Sequence, residues 1–141
     1  MKYLASAIIL FGLFAFKQVH TKSEIEAAMH YYDHLIKNTD ADSIALLFTP
    51  DGDLGNIAHG RDSIRNFLHS FKDVKVISTG SITQSIEIGG DTALQKGSYQ
   101  QVAVIKDKDT VHVKGLFTAR WKFLQDGRWH IHRMDTEPIR D

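Results

Sequence analysis

The hydrophobic pattern of the chain changes period once. From residue 23 to about residue 71, apolar side chains recur every three or four positions; from Val74 onward they recur every second position. Ile25, Ala28, Met29, Tyr32, Leu35 and Ile36 form one helical stripe, with His30, Asp33, His34 and Lys37 off it. Ser23-Glu24-Ile25-Glu26 has the form of a capping box, a hydroxyl followed three residues on by a carboxylate. Asp40 is placed to cap a short second helix carrying Ile44, Leu47 and Phe48, which Pro50-Asp51-Gly52 ends. Residues 53–59 read as irregular. A third helix follows Gly60, with Asp62 near its positive end and Ile64, Phe67, Leu68 and Phe71 along one side.

The alternating half divides into four β segments, at about residues 74–88, 91–105, 111–124 and 128–136. Gly89-Gly90 and Asp126-Gly127 are hairpin signals, and residues 106–110 are a polar loop. Helices followed by hairpin-linked strands predict an α+β fold, a curved antiparallel sheet of four to five strands wrapped around N-terminal helices. Gly80, Gly97 and Gly115 lie inside long strands, where glycines mark bulges or bends that would curl the sheet into a trough. On the third strand Gly115, Phe117, Ala119, Trp121 and Phe123 share the side expected to face the helices. The loop of residues 106–110 sets Tyr99 opposite Phe117 on that side. The last hairpin adds Trp129, Ile131, Arg133 and Asp135, and sends His130, His132 and Met134 outward.

Composition narrows the function classes. Formal net charge is zero and the basic residues are scattered, so no field or phosphate-tracking stripe points to nucleic acid. The absence of cysteine removes disulfides, thiolate chemistry, Cys-ligated zinc and a lipidated anchor. Residues 4–16 are an uninterrupted apolar run behind Met1-Lys2. A membrane-spanning helix needs about 20 apolar residues, so the shorter run reads as the core of an export signal. Residues 1–21 are therefore expected to be a signal peptide and residues 22–141 the mature domain; Val19-His20-Thr21 is only a marginal cleavage site, and an uncleaved N-terminal anchor is the alternative. The protein is expected in the periplasm or outside the cell, with no membrane contact beyond the signal.

Three blocks resemble a known family. They are the run from Tyr32-Asp33-His34-Leu35 through Asp40-Ala41-Asp42-Ser43 to Phe48-Thr49-Pro50-Asp51-Gly52; then Gly60-Arg61-Asp62-Ser63-Ile64-Arg65-Asn66-Phe67; then Asp126-Gly127-Arg128-Trp129-His130-Ile131. Together they are similar to the SnoaL-like and DUF4440 branches of the NTF2-like superfamily, over about residues 23–137. The resemblance implies a cone-shaped pocket between a bent sheet and a long helix, in a homodimer. Function does not follow, because this fold hosts isomerases, dehydratases, cyclases, hydrolases and plain binding or assembly domains.

The resemblance implies roles for particular residues. Ketosteroid isomerase relatives place an oxyanion-binding tyrosine at Tyr32, whose alternative is a core aromatic. Their base and acid positions fall on Asn56 and near Ala119, neither of which can do that work, so steroid-isomerase chemistry is disfavoured. SnoaL-type cyclases use an aspartate late in the sheet, which matches Asp135, with Arg133 orienting a substrate group or pairing with it. His59, in the irregular segment, is a second acid–base candidate. Asp51 and Asp53 are explained by turn chemistry. His30/His34 and His130/His132 have metal-like spacing, but Lys122 and Arg120 stand opposite the second pair, so no metal and no cofactor is expected. Phe48, Phe67, Tyr99, Phe117 and Trp121, with Tyr32, Asn56 and Arg133, are the candidate pocket lining. Three readings stay open: a carrier of a small apolar or amphipathic molecule, an enzyme using Asp135 or His59, and a homodimeric assembly module with a filled pocket.

Overall fold

The structure is a computed structural model that describes residues 17–140. The expected signal core, residues 4–16, lies outside the described residues. Helix α1 (Lys22–Lys37) starts on Thr21 rather than on Ser23, and the Glu24 carboxylate accepts the Thr21 amide at 3.3 Å. The start is set two residues earlier, beside an anchored His20. Its ring meets Glu24 and Asp91 at 2.9 and 3.2 Å and packs on Phe123 and Trp129. Helix α2 (Ala41–Leu47) is capped by Asp40, which accepts the Ser43 amide at 3.1 Å.

The chain then enters the sheet earlier than its pattern suggests. Residues β1 (Phe48–Leu54) and β2 (Ala58–His59) are strands, where a helix end, a turn and an irregular segment were expected. Gly52 belongs to the strand, and a Cβ there would stand 3.1 Å from the Ile131 carbonyl. It permits close approach of backbones rather than a turn. Helix α3 (Arg61–His69) follows, and then β3 (Val74–Gly89), β4 (Thr92–Ile105), β5 (Asp109–Phe123) and β6 (Trp129–Pro138). The described sheet has six strands, in the order β2-β1-β6-β5-β4-β3, and remains open. β1 and β6 run parallel; every other neighbouring pair is antiparallel.

The hairpins decide the faces. β4 and β5 join through three residues, Lys106 to Lys108, so Tyr99 pairs with Gly115 and Phe117 with Gly97. The expected Tyr99–Phe117 pair is displaced by two residues, which leaves both on the inner face. β4 and β5 pair without a break, so Gly115 marks no bulge, whereas Gly97 stands opposite a bulge of β3, between Thr83 and Ser85. A Cβ on Gly97 would stand 2.7 Å from the Phe117 ring, and one on Gly115 would stand 2.7 Å from the Tyr99 hydroxyl. The glycines make room for rings. Among the described strands the register shifts twice between β3 and β4, once between β5 and β6 and once between β1 and β6.

The core lies between the helices and the inner sheet face. Ile25, Ile64, Phe48, Trp121 and Ile131 are fully buried there. One polar chain crosses it: the Trp121 indole donates to Gln95 at 3.0 Å, and Gln95 donates to the Thr83 hydroxyl at 2.9 Å. Each buried polar group is thereby matched.

Candidate functional site: an inner chamber and its apolar groove

Helix α1 carries four residues of one face into the sheet. Met29, Tyr32, Asp33 and Ile36 are spaced i, i+3, i+4 and i+7, and all line a chamber of about 170 Å³ between helix and sheet. Tyr99, Phe117 and Met134 close the sheet side. The walls are largely apolar, with a few converging polar groups, as small-molecule sites generally have.

Those polar groups have spare capacity. Asp33 accepts the Ser81 amide at 3.1 Å and the Ser81 hydroxyl at 2.6 Å, both through Oδ2. Oδ1 has no protein partner among the described residues. Burial pushes the Asp33 carboxyl above the usual carboxylate range, with the Ser81 bonds opposing. Burial likewise raises the Tyr32 phenol well above its ordinary value, assisted by the Asp33 charge, so it stays protonated at neutral pH. Neither tyrosine hydroxyl bonds to any described residue, whereas no buried side-chain N or O atom among them lacks a partner. The two hydroxyls are therefore open to the chamber.

A second cavity of about 430 Å³ adjoins the first, with Ile36 and Gln101 lining both. It runs as a groove between Ile44, Leu68 and Phe71 on the helical side and Val76, Ile105 and Val111 on the sheet. Its walls are overwhelmingly aliphatic and aromatic, with His69 and Lys72 at the rim. A wider hollow of about 500 Å³, between Glu87, Leu94, Arg120 and Lys122, is an open depression on the opposite face of the sheet.

The expectation that Arg133 and Asp135 face the pocket is overturned. Lys122 pairs with His130 and Trp121 with Ile131, but Arg120 pairs with Arg133. His132 is the extra residue of a bulge, and beyond it every side chain changes face. Met134 turns inward, 3% exposed opposite Ala119, and Arg133 and Asp135 turn outward opposite Arg120 and Thr118. There they join Asp53, Asn56 and His59. Arg133 donates to both Asp135 oxygens at 2.8 and 2.9 Å, to Asn56 at 3.0 Å and to Asp53 at 3.5 Å. His59 meets Asp53 through Nδ1. That bond holds the Asp53 carboxyl below its usual range, and Asp135 raises Arg133. This is a surface ion network tying the β1–β2 excursion to β6, and every Arg133 nitrogen is engaged by it.

Of the expected lining, the structure brings together Tyr32, Tyr99 and Phe117. Phe48 and Trp121 are closed into the core, at 0% and 1% exposure. Phe67 packs edge-on against Phe71, with ring centres 5.0 Å apart. Asn56, His59, Arg133 and Asp135 are on the far side. Asp33, read from the sequence as lying off the buried stripe, is the missed chamber residue. Its spacing from Met29 and Ile36 was the available signal. Among the described residues, no group of three or more His, Asp or Glu side chains could hold a metal. His34 bonds Asn38 instead, and His130 is buried between the Asp126 carboxylate and the Leu46 carbonyl.

The architecture has many solved counterparts. A ketosteroid isomerase-like protein from Erwinia carotovora atroseptica SCRI1043 superposes with a TM-score of 0.74 at 19% identity, over 84% of this chain and 96% of that one. A candidate scytalone dehydratase from Novosphingobium aromaticivorans DSM 12444 gives 0.72 at 18% identity, over 84% and 83%. ActVI-ORFA from Streptomyces coelicolor gives 0.69 at 16% identity, over 82% and 95%. At these identities the likeness establishes the fold alone. No curated protein matches the chain. The SnoaL-like domain model, however, matches residues 17–135, most of the chain and all of the elements that build the chamber. The protein belongs to the SnoaL-like domain family, within the NTF2-like fold.

Proposed function

We propose that the protein is exported and binds a small amphipathic molecule inside its cone, holding the polar part in the chamber of Tyr32, Asp33, Ser81 and Tyr99. One observation carries this reading. Two phenol hydroxyls and a carboxylate oxygen line the cavity without partners among the described residues, and Tyr99 lies over Gly115, where any larger residue would displace its ring. These oxygens keep their access to solvent in the free protein, and a ligand with a hydroxyl or carbonyl would take the place of water on them. The apolar run of residues 4–16 supports export. Native mass spectrometry on protein purified gently from an exporting host tests the reading. A bound small molecule lost in Tyr99→Phe supports it, and an empty chamber in every preparation would shift the weight to an assembly role.

A specific observation also favours an enzymatic version. Asp33 is a carboxyl pushed up by burial beside a protonated phenol, the combination that acid–base chemistry uses. Asp135 and His59 lie on the other side of the sheet, so in this version Asp33 replaces them as the proton-transfer group. Solved relatives of the fold are named for isomerase and dehydratase chemistry, which fits this version as well as binding. Turnover of a bound compound that survives Asp33→Asn would exclude it.

A further inference from the structure

The chamber and the groove differ in chemistry but share a wall. The chamber, at about 170 Å³, is of the size that holds one ring, since an apolar cavity of about 150 Å³ admits benzene. It offers phenol donors and a carboxylate acceptor and no cation. An anionic head would meet Asp33 there, whereas a neutral hydroxyl can accept from a tyrosine and donate to Asp33 Oδ1. The groove, at about 430 Å³, is lined mostly by aliphatic and aromatic side chains, with Thr39 and Gln101 the only uncharged polar ones among its described lining, so it favours an apolar substituent. Ile36 and Gln101 border both spaces, so a molecule held in one lies next to the other.

Resting on the binding reading above, we infer that the ligand is a neutral hydroxylated ring bearing an extended apolar chain, with the ring beside Tyr32, Asp33 and Tyr99 and the chain along Phe71, Ile105 and Val111. The groove is then the element that sets chain length. Phe71 and Val111, 46% and 36% exposed, are covered when it is filled. The basic side chains beside the groove, Lys72 and His69, are exposed, and His69 already meets Asp42 at 3.1 Å. An anionic amphiphile would have to enter the other way round, with its head at the rim and its tail in the polar chamber.

The test is a binding series by titration calorimetry with 4-methylphenol, 4-butylphenol and 4-hexylphenol, with 4-hexylbenzoate as the charged-head counterpart. Full burial of each added methylene tightens binding by about fourfold. Affinity is expected to rise steeply along the phenols and to be at least about tenfold weaker for the benzoate, because a carboxylate is placed beside Asp33. Val111→Asp should flatten the chain-length dependence, and Tyr99→Phe should weaken the whole phenol series by a common factor of about five. Binding of 4-methylphenol with no gain from longer chains would overturn the inference and leave the chamber reading standing. No binding of any phenol would overturn both. Tighter binding of the benzoate would reverse the ligand's orientation and overturn the head placement. A flat series in a protein that Val111→Asp converts from dimer to monomer would assign the groove to a second copy of the chain.

Discussion

The Tyr99 ring lies across Gly115 on the neighbouring strand, its hydroxyl 2.7 Å from the place a Cβ on that glycine would take. The same site would be 2.5 Å from the Glu137 carbonyl, which is backbone and cannot move aside. Gly115→Ala is therefore expected to destabilise the fold by about 1–3 kcal/mol, measured by chemical denaturation. Tyr99→Phe removes a hydroxyl with no protein partner and should stay within about 0.5 kcal/mol of the parent. A large cost for Tyr99→Phe would show that the hydroxyl is structural and would remove the main support for a ligand there.

Asp33 gives a signed pH effect. Its carboxyl is raised by burial, so the folded state holds the proton more tightly than the unfolded chain does. The resulting stabilisation is complete below the unfolded carboxyl value and is lost as pH rises through the folded one. Asp33→Asn should consequently raise the melting temperature more at pH 7 than at pH 3, both relative to the parent. An equal change at both pH values would mean that the carboxyl is not perturbed.

Glu24 works in the opposite direction. Its carboxylate accepts the Trp129 indole at 2.9 Å and meets His20, and these bonds hold it below its usual range. Its contribution is present above the unfolded value and disappears as pH falls through the folded one. Glu24→Gln should therefore lower the melting temperature at pH 7 and make little difference at pH 3.

The enclosed His20 ring bears on processing. A cut after Thr21 would remove both this ring and the helix cap, so the mature N-terminus of exported protein is expected at or before His20. Intact-mass measurement of the secreted form checks this, and a start at Lys22 would contradict it. His20→Ala should cost about 1–3 kcal/mol, since it opens a cavity between two aromatic rings.

The outer network should separate stability from binding. Arg133→Ala leaves Asp53 and Asp135 without their shared cation and should lower the melting temperature slightly, as expected of a surface ion pair. Chamber affinity for 4-methylphenol should not change. A loss of binding with stability intact would return Arg133 to the ligand site.

Much of this was legible in the pattern of residues alone. The change of period separated helices from strands, because one buried face repeats every 3.6 residues in a helix and every second residue in a strand. The inner positions of β5 and the place of Tyr32 on α1 followed from local alternation, and so did the caps and turns at Asp40 and Asp126-Gly127. Three things were decided only by tertiary structure. Phe48–Leu54 became a strand because β6 lay alongside to pair with it, overriding the turn chemistry of Pro50-Asp51-Gly52. His132 became a bulge because β1 and β5 constrain β6 from both sides, and one unpaired residue reverses every side chain after it. Asp33 turned inward because the edge strand β3 offered it the Ser81 amide and hydroxyl. Sequence pattern reports which residues share a face; which partner strand supplies the missing hydrogen bonds depends on contacts between residues far apart in the chain, and those contacts set the site.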